Sequence, residues 1–483
     1  MQDTIKNALS FNKIACHVAL MIAGTSSSAG KSVLVAALCR ILSKRGYAVA
    51  PFKAQNMSLN SYVTKEGKEI AIAQAFQARA AGIEPNELMN PVLLKPKGNF
   101  VSQLILLGEA VKDVSSFEYY REVPKIMKVV EEAYTELSRN YDVIVIEGAG
   151  GIAEINLYDR DVANIGIARI AKPAIYIVGD IDRGGVFASL YGTYKLLPSD
   201  VAGLVRGFII NRLRGSEKLL ESGVRQLEEL TGVPVLGVIP HLNSAMPSED
   251  SLCMDEWSGN GETSEIGILK LPRISNFTDL EPLRELCKFI DLKDDIDCEI
   301  VIVPGSKDTM ADLRALKEAG MHEKLRRFAK DRPVIGICGG YQMLGRELVD
   351  FGVEHGYVKA KGIGLLDAVT EFREFRKMCR QVERKVNGNA VILEKIKGES
   401  VWGYEIHKGV TKASNPVFDD EGCASEDGMV WGTYMHGLFW NDCIVKAVCK
   451  HLGVEIPSRT DGIEELAKVV EEKLDIDAIL GWV

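Results

Sequence analysis

Long apolar runs are absent from this 483-residue sequence, and none reaches the roughly 20 residues that a membrane-spanning helix needs. The opening MQDTIKNALSFNKIACHVALMIAG lacks both the basic start and the cleavage site of a secretory signal. The ten cysteines include no C-x-x-C pair, which argues against a zinc site or a disulfide framework. We therefore expect a cytoplasmic protein without a membrane span, in which most cysteines are small buried apolar residues.

A surplus of positive charge is also missing, because the formal net charge is -9. This balance argues against broad non-specific nucleic-acid binding, so an anionic ligand would need local lysine or arginine side chains and backbone N–H groups. Hydrophobic residues make up 46% of the chain and charged residues 26%, which is typical of a globular enzyme. The length favours two or three domains over a single one.

The pattern of apolar runs divides the chain into four parts. Residues 1–245 alternate near-continuous apolar runs with helix-like stretches, which predicts an α/β domain with a doubly wound, mostly parallel sheet. Residues 246–264 are polar, acidic and contain glycine and serine, as expected of a linker. Residues 265–452 return to the α/β pattern, and residues 453–483 predict a helical tail that packs on the body.

Individual stretches carry this prediction. The predicted buried strands of the first sheet are HVALMIAG, AVAPFK, SQLILLG, DVIVIEGAG, AIYIVGD, GFIIN and PVLGVIP. The helix-like stretches include KSVLVAALCRILSKRG and EIAIAQAFQARAAG, the second of which ends at Gly82, a glycine suited to the position after a helix. In the second domain, strands are predicted at EIGILKLP, EIVIVPGS and PVIGICGG.

The stretch GTSSSAGKSV lies between a predicted strand and a predicted helix. It approaches the pattern G-x-x-x-x-G-K-[ST], with Thr25 where the first glycine should stand and Gly24 one position early. Such a loop directs backbone N–H groups and a helix N-terminus at one point, where they hold phosphate. The sequence therefore predicts an ATP site at Gly24, Thr25, Gly30, Lys31 and Ser32, with Lys31 reaching the phosphates and Ser32 ligating Mg²⁺.

Carboxylates after two other predicted strands could complete the magnesium site. Glu147 in DVIVIEGAGG directly follows an apolar run and is the main candidate, and Asp182 in GDIDRGG is the weaker one. Asp180 lies in the same stretch, and each of these carboxylates could instead cap a following helix. Asn211, at the end of GFIIN, is either a contact to adenine or an ordinary turn residue.

The stretch PVIGICGGYQMLG predicts a nucleophile at Cys338. A strand delivers the cysteine, and Gly339 and Gly340 permit a sharp turn into a helix whose N-terminus favours the thiolate form. His436 in WGTYMHGLF is the predicted base, with His407 in GYEIHKG as its competitor.

A tetrahedral intermediate at this cysteine would need N–H donors. The backbone amide of Gly339 is one candidate. Gly305 and Ser306 in VPGSKDT, at another strand end, are candidates for the second donor.

A third set of candidate residues lies in PFKAQNMSLNS, which follows a strand and is predicted to border the substrate cleft. Its polar side chains are suited to carboxylates and amides, and the candidates are Lys53, Gln55, Asn56 and Asn60. Lys95 and Lys97 are either further contacts to an anionic substrate or solvated surface lysines.

Two family resemblances rest on these motifs. GTSSSAGKS together with EGAGG resembles the dethiobiotin synthetase-like branch of P-loop proteins, which implies activation of a carboxylate with ATP. GICGGYQ with a downstream histidine resembles class I glutamine amidotransferases, which form a glutamyl thioester and release ammonia. That resemblance implies that Gln342 helps to hold glutamine. The class usually has glutamate two residues after the histidine, where this sequence has Leu438.

One branch of the amidotransferase class lacks that glutamate and carries a dethiobiotin synthetase-like domain, and this sequence is identified as a member of it, the cobyrinic acid amidase family. The resemblance is carried by PFKAQNMSLNSYVT, MNPVLLKP, EGAGGIAEINL, DIDRGGVFA, LPRISNFTDLEPL and PGSKDTMADL. It implies ATP-, Mg²⁺- and glutamine-dependent amidation of the b, d, e and g side-chain carboxylates of the corrinoid adenosylcobyrinic acid a,c-diamide. The product would be adenosylcobyric acid, on the cobalamin pathway.

Three alternatives remain open at this point. The chain could amidate the a and c carboxylates, as another member of the same family does. It could be a P-loop switch or partition ATPase with a degenerate amidotransferase domain. The second domain could also be only a scaffold, with free ammonia as the nitrogen donor. A homo-oligomer is compatible with each of these readings.

Overall fold

The computed structural model describes residues 17–98, 100–242, 265–354, 356–374, 377–457 and 462–482. The predicted linker, 246–264, lies outside the described residues. One α/β region precedes residues 246–264 and a second α/β region follows them, as the sequence predicts. In the described ranges, no helix combines the length and the apolar character that crossing a membrane requires.

The elements of the first region alternate between strands and helices. Its strands are β1 (Val18–Gly24), β2 (Val49–Phe52), β3 (Gln55–Met57), β4 (Ser61–Val63), β5 (Glu69–Ala71), β6 (Val92–Gly98), β7 (Val101–Leu106), β8 (Glu109–Ser115), β9 (Val143–Glu147), β10 (Ala174–Asp180), β11 (Val205–Leu213) and β12 (Val235–Pro240). Its α-helices are α1 (Lys31–Lys44), α2 (Ile72–Ala80), α3 (Ser116–Ser138), α4 (Ile167–Ala171), α5 (Val186–Leu196), α6 (Ser199–Ala202) and α7 (Glu221–Thr231).

A six-stranded sheet in the order β12-β11-β10-β1-β9-β2 forms the centre of this region, and its paired strands run parallel. Alternate residues of β1 belong to two different cores. Leu20 and Ile22 pack in one, and Met21 and Ala23 pack in the other. Both faces of the sheet are therefore covered, which confirms the doubly wound arrangement and explains the near-continuous apolar strands.

Two details of the sequence prediction are wrong. SQLILLG does not join the parallel sheet, because β7 pairs antiparallel with β6 and β8 in a separate sheet of order β3-β6-β7-β8. An apolar run identifies a buried strand but not its partner. The helix predicted from Glu69 begins only at Ile72, because Glu69–Ala71 form β5, which pairs with β4. Gly82 does follow that helix, with φ at 75°.

The second region is built on another mostly parallel sheet. Its strands are β13 (Ile266–Leu269), β14 (Ile274–Ser275), β15 (Cys287–Ile290), β16 (Ile300–Val303), β17 (Gly305–Ser306), β18 (Val334–Ile337), β19 (Glu347–Phe351), β20 (Tyr357–Lys361), β21 (Ala368–Phe372), β22 (Met378–Lys385), β23 (Ser400–His407), β24 (Val410–Ala413), β25 (Cys423–Ala424), β26 (Val430–Thr433) and β27 (Met435–His436). Its α-helices are α8 (Thr309–Glu318), α9 (Met321–Phe328), α10 (Gly339–Leu344), α11 (Asp442–Leu452), α12 (Gly462–Lys473) and α13 (Ile476–Leu480).

The sheet order is β15-β13-β16-β18-β26-β25, with β25 the antiparallel edge strand. The neighbouring strands β16, β18 and β26 end side by side. The carboxyl ends of parallel strands form the usual ligand site of such sheets, so this arrangement brings the segments that follow these three strands together.

The C-terminal tail returns to the first region. Leu466 and Val470 of α12 are buried in the core that contains α1. Arg40 of α1 forms an ion pair with Glu464, and Arg45 lies 2.9 Å from the carboxylate of Glu471. The helices α12 and α13 thus pack beside α1.

The two regions are joined by buried polar contacts. The backbone amide of Ser61 donates to Oδ1 of Asn276 at 2.9 Å, and the hydroxyl of Tyr404 donates to the carbonyl of Ser61 at 2.7 Å. The side-chain amide of Gln381 donates to the hydroxyl of Tyr62 at 2.8 Å. The segment from β3 to β5 therefore forms the face of the first region that meets the second.

Candidate active sites

The loop between β1 and α1 is held to its neighbours on both sides. The amide of Thr25 donates to the carbonyl of Val178 at 2.9 Å, and the amide of Ile152 donates to the carbonyl of Gly24 at 2.9 Å. Gly30 has φ at 96°, and a Cβ atom there would lie 2.0 Å from Nδ2 of Asn211. The backbone conformation therefore favours glycine at position 30, and a larger residue there would also displace the side chain of Asn211.

Lys31 is buried in this loop at the first position of α1. Its Nζ donates to the carbonyl oxygens of Ser26 and Gly150, both at 2.9 Å. A Cβ atom at Gly24 would lie 2.8 Å from this Nζ. The lysine ammonium group thus lies across the loop, next to the backbone that the sequence predicts to hold phosphate.

Glu147 is the centre of a buried polar cluster beside the loop. Register places it next to Ile22 of β1, and its Oε1 accepts from the hydroxyl of Ser32 at 2.8 Å and from Nζ of Lys53 at 2.7 Å. Its Oε2 accepts from Gln77 of α2 at 2.5 Å. Burial alone would raise the pKa of Glu147, but Lys53 and the hydrogen bonds outweigh it and lower the pKa, so the carboxylate is ionised.

The other residues predicted near the nucleotide have partners of their own. The carboxylate of Asp182 accepts a hydrogen bond from Arg214 at 2.8 Å, and this hydrogen bond lowers the pKa of Asp182. Asp180 is buried and accepts from Arg212 at 3.1 Å. Nδ2 of Asn211 donates to the carbonyl of Ala29 at 2.9 Å, which places this amide against the phosphate loop.

Cys338 stands between β18 and α10 in a constrained backbone conformation. Its φ is 51°, in the left-handed region that residues other than glycine seldom adopt. The following turn leaves no room for side chains, because a Cβ at Gly339 would lie 2.8 Å from the amide nitrogen of Ser306, and one at Gly340 would lie 1.8 Å from the carbonyl oxygen of Val303. The sharp strand-to-helix turn predicted from the sequence is present.

His436 follows β26 and is 1% exposed. Its Nδ1 lies 2.6 Å from Oδ2 of Asp279, and its ring also interacts with the thiol of Cys338. Burial lowers the pKa of His436, but Asp279 and Cys338 outweigh this effect and raise it to about 10. The imidazole is therefore a cation at neutral pH, placed between a thiol and a carboxylate.

Asp279 was not predicted from the sequence as a site residue. It lies in the 3-10 helix Phe277–Leu286, and its other oxygen, Oδ1, accepts from the amide of Gly437 at 2.9 Å. Asp279 thus takes the place next to the histidine that the class pattern would give to position 438, where Leu438 is buried. The signal was within reach, because Asp279 is one of the two acidic residues, with Glu281, of the motif LPRISNFTDLEPL.

Gln342 and His407 lie in the same cavity as Cys338 and His436. Oε1 of Gln342 accepts from Thr309 at 2.9 Å, and its Nε2 donates to the hydroxyl of Tyr434 at 3.0 Å. His407 stacks on the ring of Tyr434, with the centroids 3.6 Å apart. Burial lowers the pKa of His407 to about 4, so this ring is neutral at pH 7, and its Nδ1 lies 2.6 Å from the carbonyl oxygen of Gly409.

The segments at the ends of β16 and β18 lie close together. A Cβ at Gly305 would be 3.3 Å from Cε1 of His436, and the amide nitrogen of Ser306 faces Gly339. The hydroxyl of Ser306 donates to the carboxylate of Asp312 at 2.6 Å. The segments that carry the predicted N–H donors therefore lie beside Cys338 and His436.

The residues predicted to contact the substrate are mostly buried. Lys53 binds Glu147, and Asn56 donates to Gln74 at 2.9 Å. Asn60 is fully buried beside the contact between the two regions, and Gln55 accepts a hydrogen bond from the hydroxyl of Tyr119. The structure thus places Lys53 and Asn56 at the Glu147 cluster and Asn60 next to the contact between the two regions, whereas Gln55 lies against α3.

Lys95 and Lys97 have different surroundings. Lys95 is buried, with its Nζ 2.8 Å from the carboxylate of Glu69. Lys97 lies 2.7 Å from Asp113 in the same antiparallel sheet. Sequence reasoning also missed Gln74 and Gln77, which α2 directs at Glu147.

Two stretches of the chain match domain families. Residues 20–251 match the CobQ/CobB/MinD/ParA nucleotide binding domain, and residues 265–443 match the CobB/CobQ-like glutamine amidotransferase domain. Together they define a glutamine amidotransferase ligase with a nucleotide-binding domain.

Similarity to full-length relatives makes the assignment more specific. The chain is 65% identical to the probable cobyric acid synthase of Archaeoglobus fulgidus, over 95% of this chain and 99% of the relative. It is 52% identical to the probable cobyric acid synthase of Methanosarcina acetivorans, over 95% of this chain and 98% of the relative. The chain belongs to the cobyric acid synthase family. Among solved structures, the signal recognition particle receptor FtsY from Elizabethkingia anophelis, in complex with GDP, aligns with 47% of this chain and 58% of the FtsY chain. The sequence identity is 15% and the TM-score is 0.29, which is too low to support a structural assignment.

Proposed function

We propose that this enzyme amidates the b, d, e and g side-chain carboxylates of adenosylcobyrinic acid a,c-diamide, using ATP and glutamine, and yields adenosylcobyric acid. ATP transfers its γ-phosphoryl group to a substrate carboxylate, which gives an acyl phosphate and ADP. Ammonia then attacks the acyl carbon, and phosphate leaves as the amide forms. Membership of the family supports the overall reaction, and the two sites support the division of labour.

The phosphoryl-transfer half belongs to the loop after β1. Lys31 neutralises the β- and γ-phosphates, and the loop amides bind their oxygens. The donor set beside the loop fits Mg²⁺, because it consists of a hydroxyl and an ionised carboxylate, Ser32 and Glu147, 2.8 Å apart. Mg²⁺ bound there would neutralise phosphate charge. Lys53 and Gln77 hold Glu147 in place, Asp182 is a secondary candidate for the metal, and Asn211 is the candidate contact to adenine.

The ammonia-producing half belongs to Cys338, His436 and Asp279. The thiolate of Cys338 attacks the side-chain carbonyl of glutamine, and the amides of Gly339 and Ser306 stabilise the oxyanion. His436 gives its proton to the departing nitrogen, so ammonia leaves and a glutamyl thioester remains. Water then hydrolyses the thioester to glutamate, with His436 as the base. Asp279 orients the imidazole and stabilises its charge.

One observation carries this proposal. His436 lies between the thiol of Cys338 and the carboxylate of Asp279, and the same chain holds Ser32 against Glu147 beside a phosphate loop. A degenerate amidotransferase domain would have no need for a cysteine in a left-handed conformation with a charged histidine beside it.

The test is to prepare Cys338→Ala and measure amidation with glutamine and, separately, with ammonium. We expect the glutamine-driven reaction to be lost and the ammonium-driven reaction to survive, because only the nitrogen source is removed. Cys443→Ala, a partly buried cysteine on α11, is the matched control and should retain both reactions. Lys31→Ala should lose both. Loss of both reactions in a folded Cys338→Ala protein would contradict the two-site assignment.

The positions of the new amides test the substrate. Mass spectrometry should show four added amides on the a,c-diamide, and NMR should assign them to b, d, e and g. Amides at positions a and c of an unamidated corrinoid would assign the chain to the other reaction of the family.

A further inference from the structure

The cavity beside Cys338 extends from the second region to the first. It has a volume of about 60 Å³, and besides Cys338 and His436 it is lined by four lysines: Lys95, Lys307, Lys377 and Lys408. Lys95 comes from β6 of the first region, whereas the other three come from the second. Four lysine side chains around a reactive cysteine need an explanation, since the bond-making and bond-breaking steps at Cys338 and His436 use none of them.

Two of these lysines share one buried carboxylate. Nζ of Lys95 lies 2.8 Å from Oε1 of Glu69, and Nζ of Lys377 lies 2.7 Å from Oε2. The side chains of Lys95, Lys377 and Glu69 are 5%, 8% and 1% exposed. Burial alone would raise the pKa of Glu69, but Lys377 and Lys95 hold it below its ordinary value. Glu69 is therefore fully ionised and cannot neutralise more than one of its two partners.

The other two lysines, Lys307 and Lys408, do not pair with Glu69 directly and have different partners. Lys307 donates to the amide oxygen of Gln103, a neutral group, at 2.7 Å, and Lys408 lies 3.4 Å from the carboxylate of Glu354. Burial and the neighbouring Lys377 and Lys95 hold the pKa of Lys307 well below its ordinary value. Among the described residues, Lys95, Lys307 and Lys377 thus lie around one carboxylate, that of Glu69. An anion bound beside Lys307 would favour its charged form and balance the positive charge of the group.

A second sign of a missing partner lies at Gln103. The side chain is fully buried, and within the described part of the chain its Nε2 has no hydrogen-bond partner. Its Oε1 is the acceptor for Lys307, so the unpaired N–H groups lie beside the same lysine. Buried donors are nearly always paired in folded proteins, which points to a ligand or water close to Lys307.

We propose that Lys95, Lys307 and Lys377 bind the α-carboxylate of glutamine, so that the glutamine site is completed by a residue of the nucleotide-binding domain. This inference rests on the proposed function of Cys338. The side-chain amide and the α-carboxylate stand at opposite ends of glutamine, so a pocket that presents the amide to Cys338 needs a cation further along. The cavity is too small for a corrin macrocycle. Glutamine would then be hydrolysed only when the two domains are docked.

Substrate analogues test carboxylate recognition without any mutation. 4-Aminobutanamide keeps the amide and the amine of glutamine but lacks the α-carboxylate, whereas glutaramate keeps the carboxylate and lacks the amine. We expect the wild-type enzyme to release ammonia from glutaramate at least about tenfold more efficiently than from 4-aminobutanamide, as for the loss of a charge-assisted hydrogen bond. Equal use of the two analogues would overturn the proposal.

Lys307→Met tests the lysines, because Lys307 binds only a neutral group in the described structure and its removal strands no carboxylate. We expect its KM for glutamine to rise about tenfold or more, with 4-aminobutanamide hydrolysis and ammonium-driven amidation unchanged. Lys307→Arg should restore most of the glutamine affinity. Lys112→Met, which removes a half-exposed lysine paired with Glu122, is the control and should match the wild type.

The outcomes separate this inference from the proposed function. An equal fall in the use of glutamine and 4-aminobutanamide by Lys307→Met would mean that the lysine supports the fold and not the carboxylate, which overturns the proposal. Failure of Cys338→Ala to lose glutamine-driven amidation would instead contradict the proposed function, whatever Lys307 does.

Discussion

Nδ1 of His436 lies 2.6 Å from Oδ2 of Asp279, although 157 positions separate the two residues in the sequence. The aspartate also accepts the amide of Gly437, so it fixes both the ring and the backbone next to it. A carboxylate in this position selects the tautomer and orientation of an imidazole and stabilises the imidazolium. The acidic partner of the histidine therefore comes from the other end of the domain. His436 has a carboxylate partner although position 438 is leucine.

Replacing this carboxylate should separate the two half-reactions. In Asp279→Asn the ring of His436 loses its charged partner, and we expect glutamine-driven amidation to fall by about 100-fold or more. Ammonium-driven amidation should be unchanged, since the nucleotide site is untouched. Asp331→Asn, at an exposed position of the same domain, is the matched control. Wild-type glutamine use by Asp279→Asn would show that the pair is only structural.

The same pair predicts how stability depends on pH. The pKa of His436 is raised to about 10 in the folded protein, against 6.5 for an ordinary histidine, because of Asp279 and in spite of burial. A raised pKa contributes stability fully below about 6.5, and this contribution is lost as the pH rises through about 10. The melting temperature of the wild type should therefore exceed that of Asp279→Asn by more at pH 6 than at pH 10. A constant difference across this range would contradict the assignment.

Local patterns were sufficient for part of both sites. The strand, loop and helix around Lys31 and the turn at Cys338 are short contiguous stretches, so glycine positions and apolar runs predicted their conformation before any tertiary contact was known. The choice of His436 over His407 as the base stays a prediction; in the structure His436 contacts Asp279, and His407 is stacked on Tyr434.

Residues that depend on distant packing could not be placed in the same way. Asp279 reaches His436 only because the 3-10 helix Phe277–Leu286 packs near the end of β26, and no spacing rule joins two segments so far apart. In the sequence, Gln77 is an ordinary polar residue of a predicted helix. Its contact with Glu147 depends on how α2 packs against the sheet. The sheet predicted for β7 was wrong for a related reason, because the pairing of a strand depends on its neighbours in space and not on its own apolar run.

The turn after Cys338 should not accept a methyl group. A Cβ at Gly340 would lie 1.8 Å from the carbonyl oxygen of Val303, so Gly340→Ala must shift backbone that cannot move cheaply. We expect glutamine-driven amidation to be lost and the melting temperature to fall by several degrees. Gly192→Ala is the control, because nothing lies within 4 Å of its Cβ position on α5, and alanine should be neutral or slightly stabilising there. A normal glutaminase in Gly340→Ala would mean that the turn is not needed in this form.

The Glu147 cluster predicts the opposite separation of activities. Glu147→Gln keeps the shape of the side chain but removes the charge that Lys53 balances and that Mg²⁺ would need beside Ser32. We expect amidation to fall by about 100-fold or more with glutamine and with ammonium alike, because no acyl phosphate forms. Release of glutamate from glutamine, measured without the corrinoid, should persist, since Cys338 and His436 are unchanged. Glu131→Gln, on the exposed side of α3, controls for the loss of one negative charge. If the folded Glu147→Gln variant amidates with ammonium at the wild-type rate, the carboxylate serves only to neutralise Lys53, and the metal must be sought elsewhere.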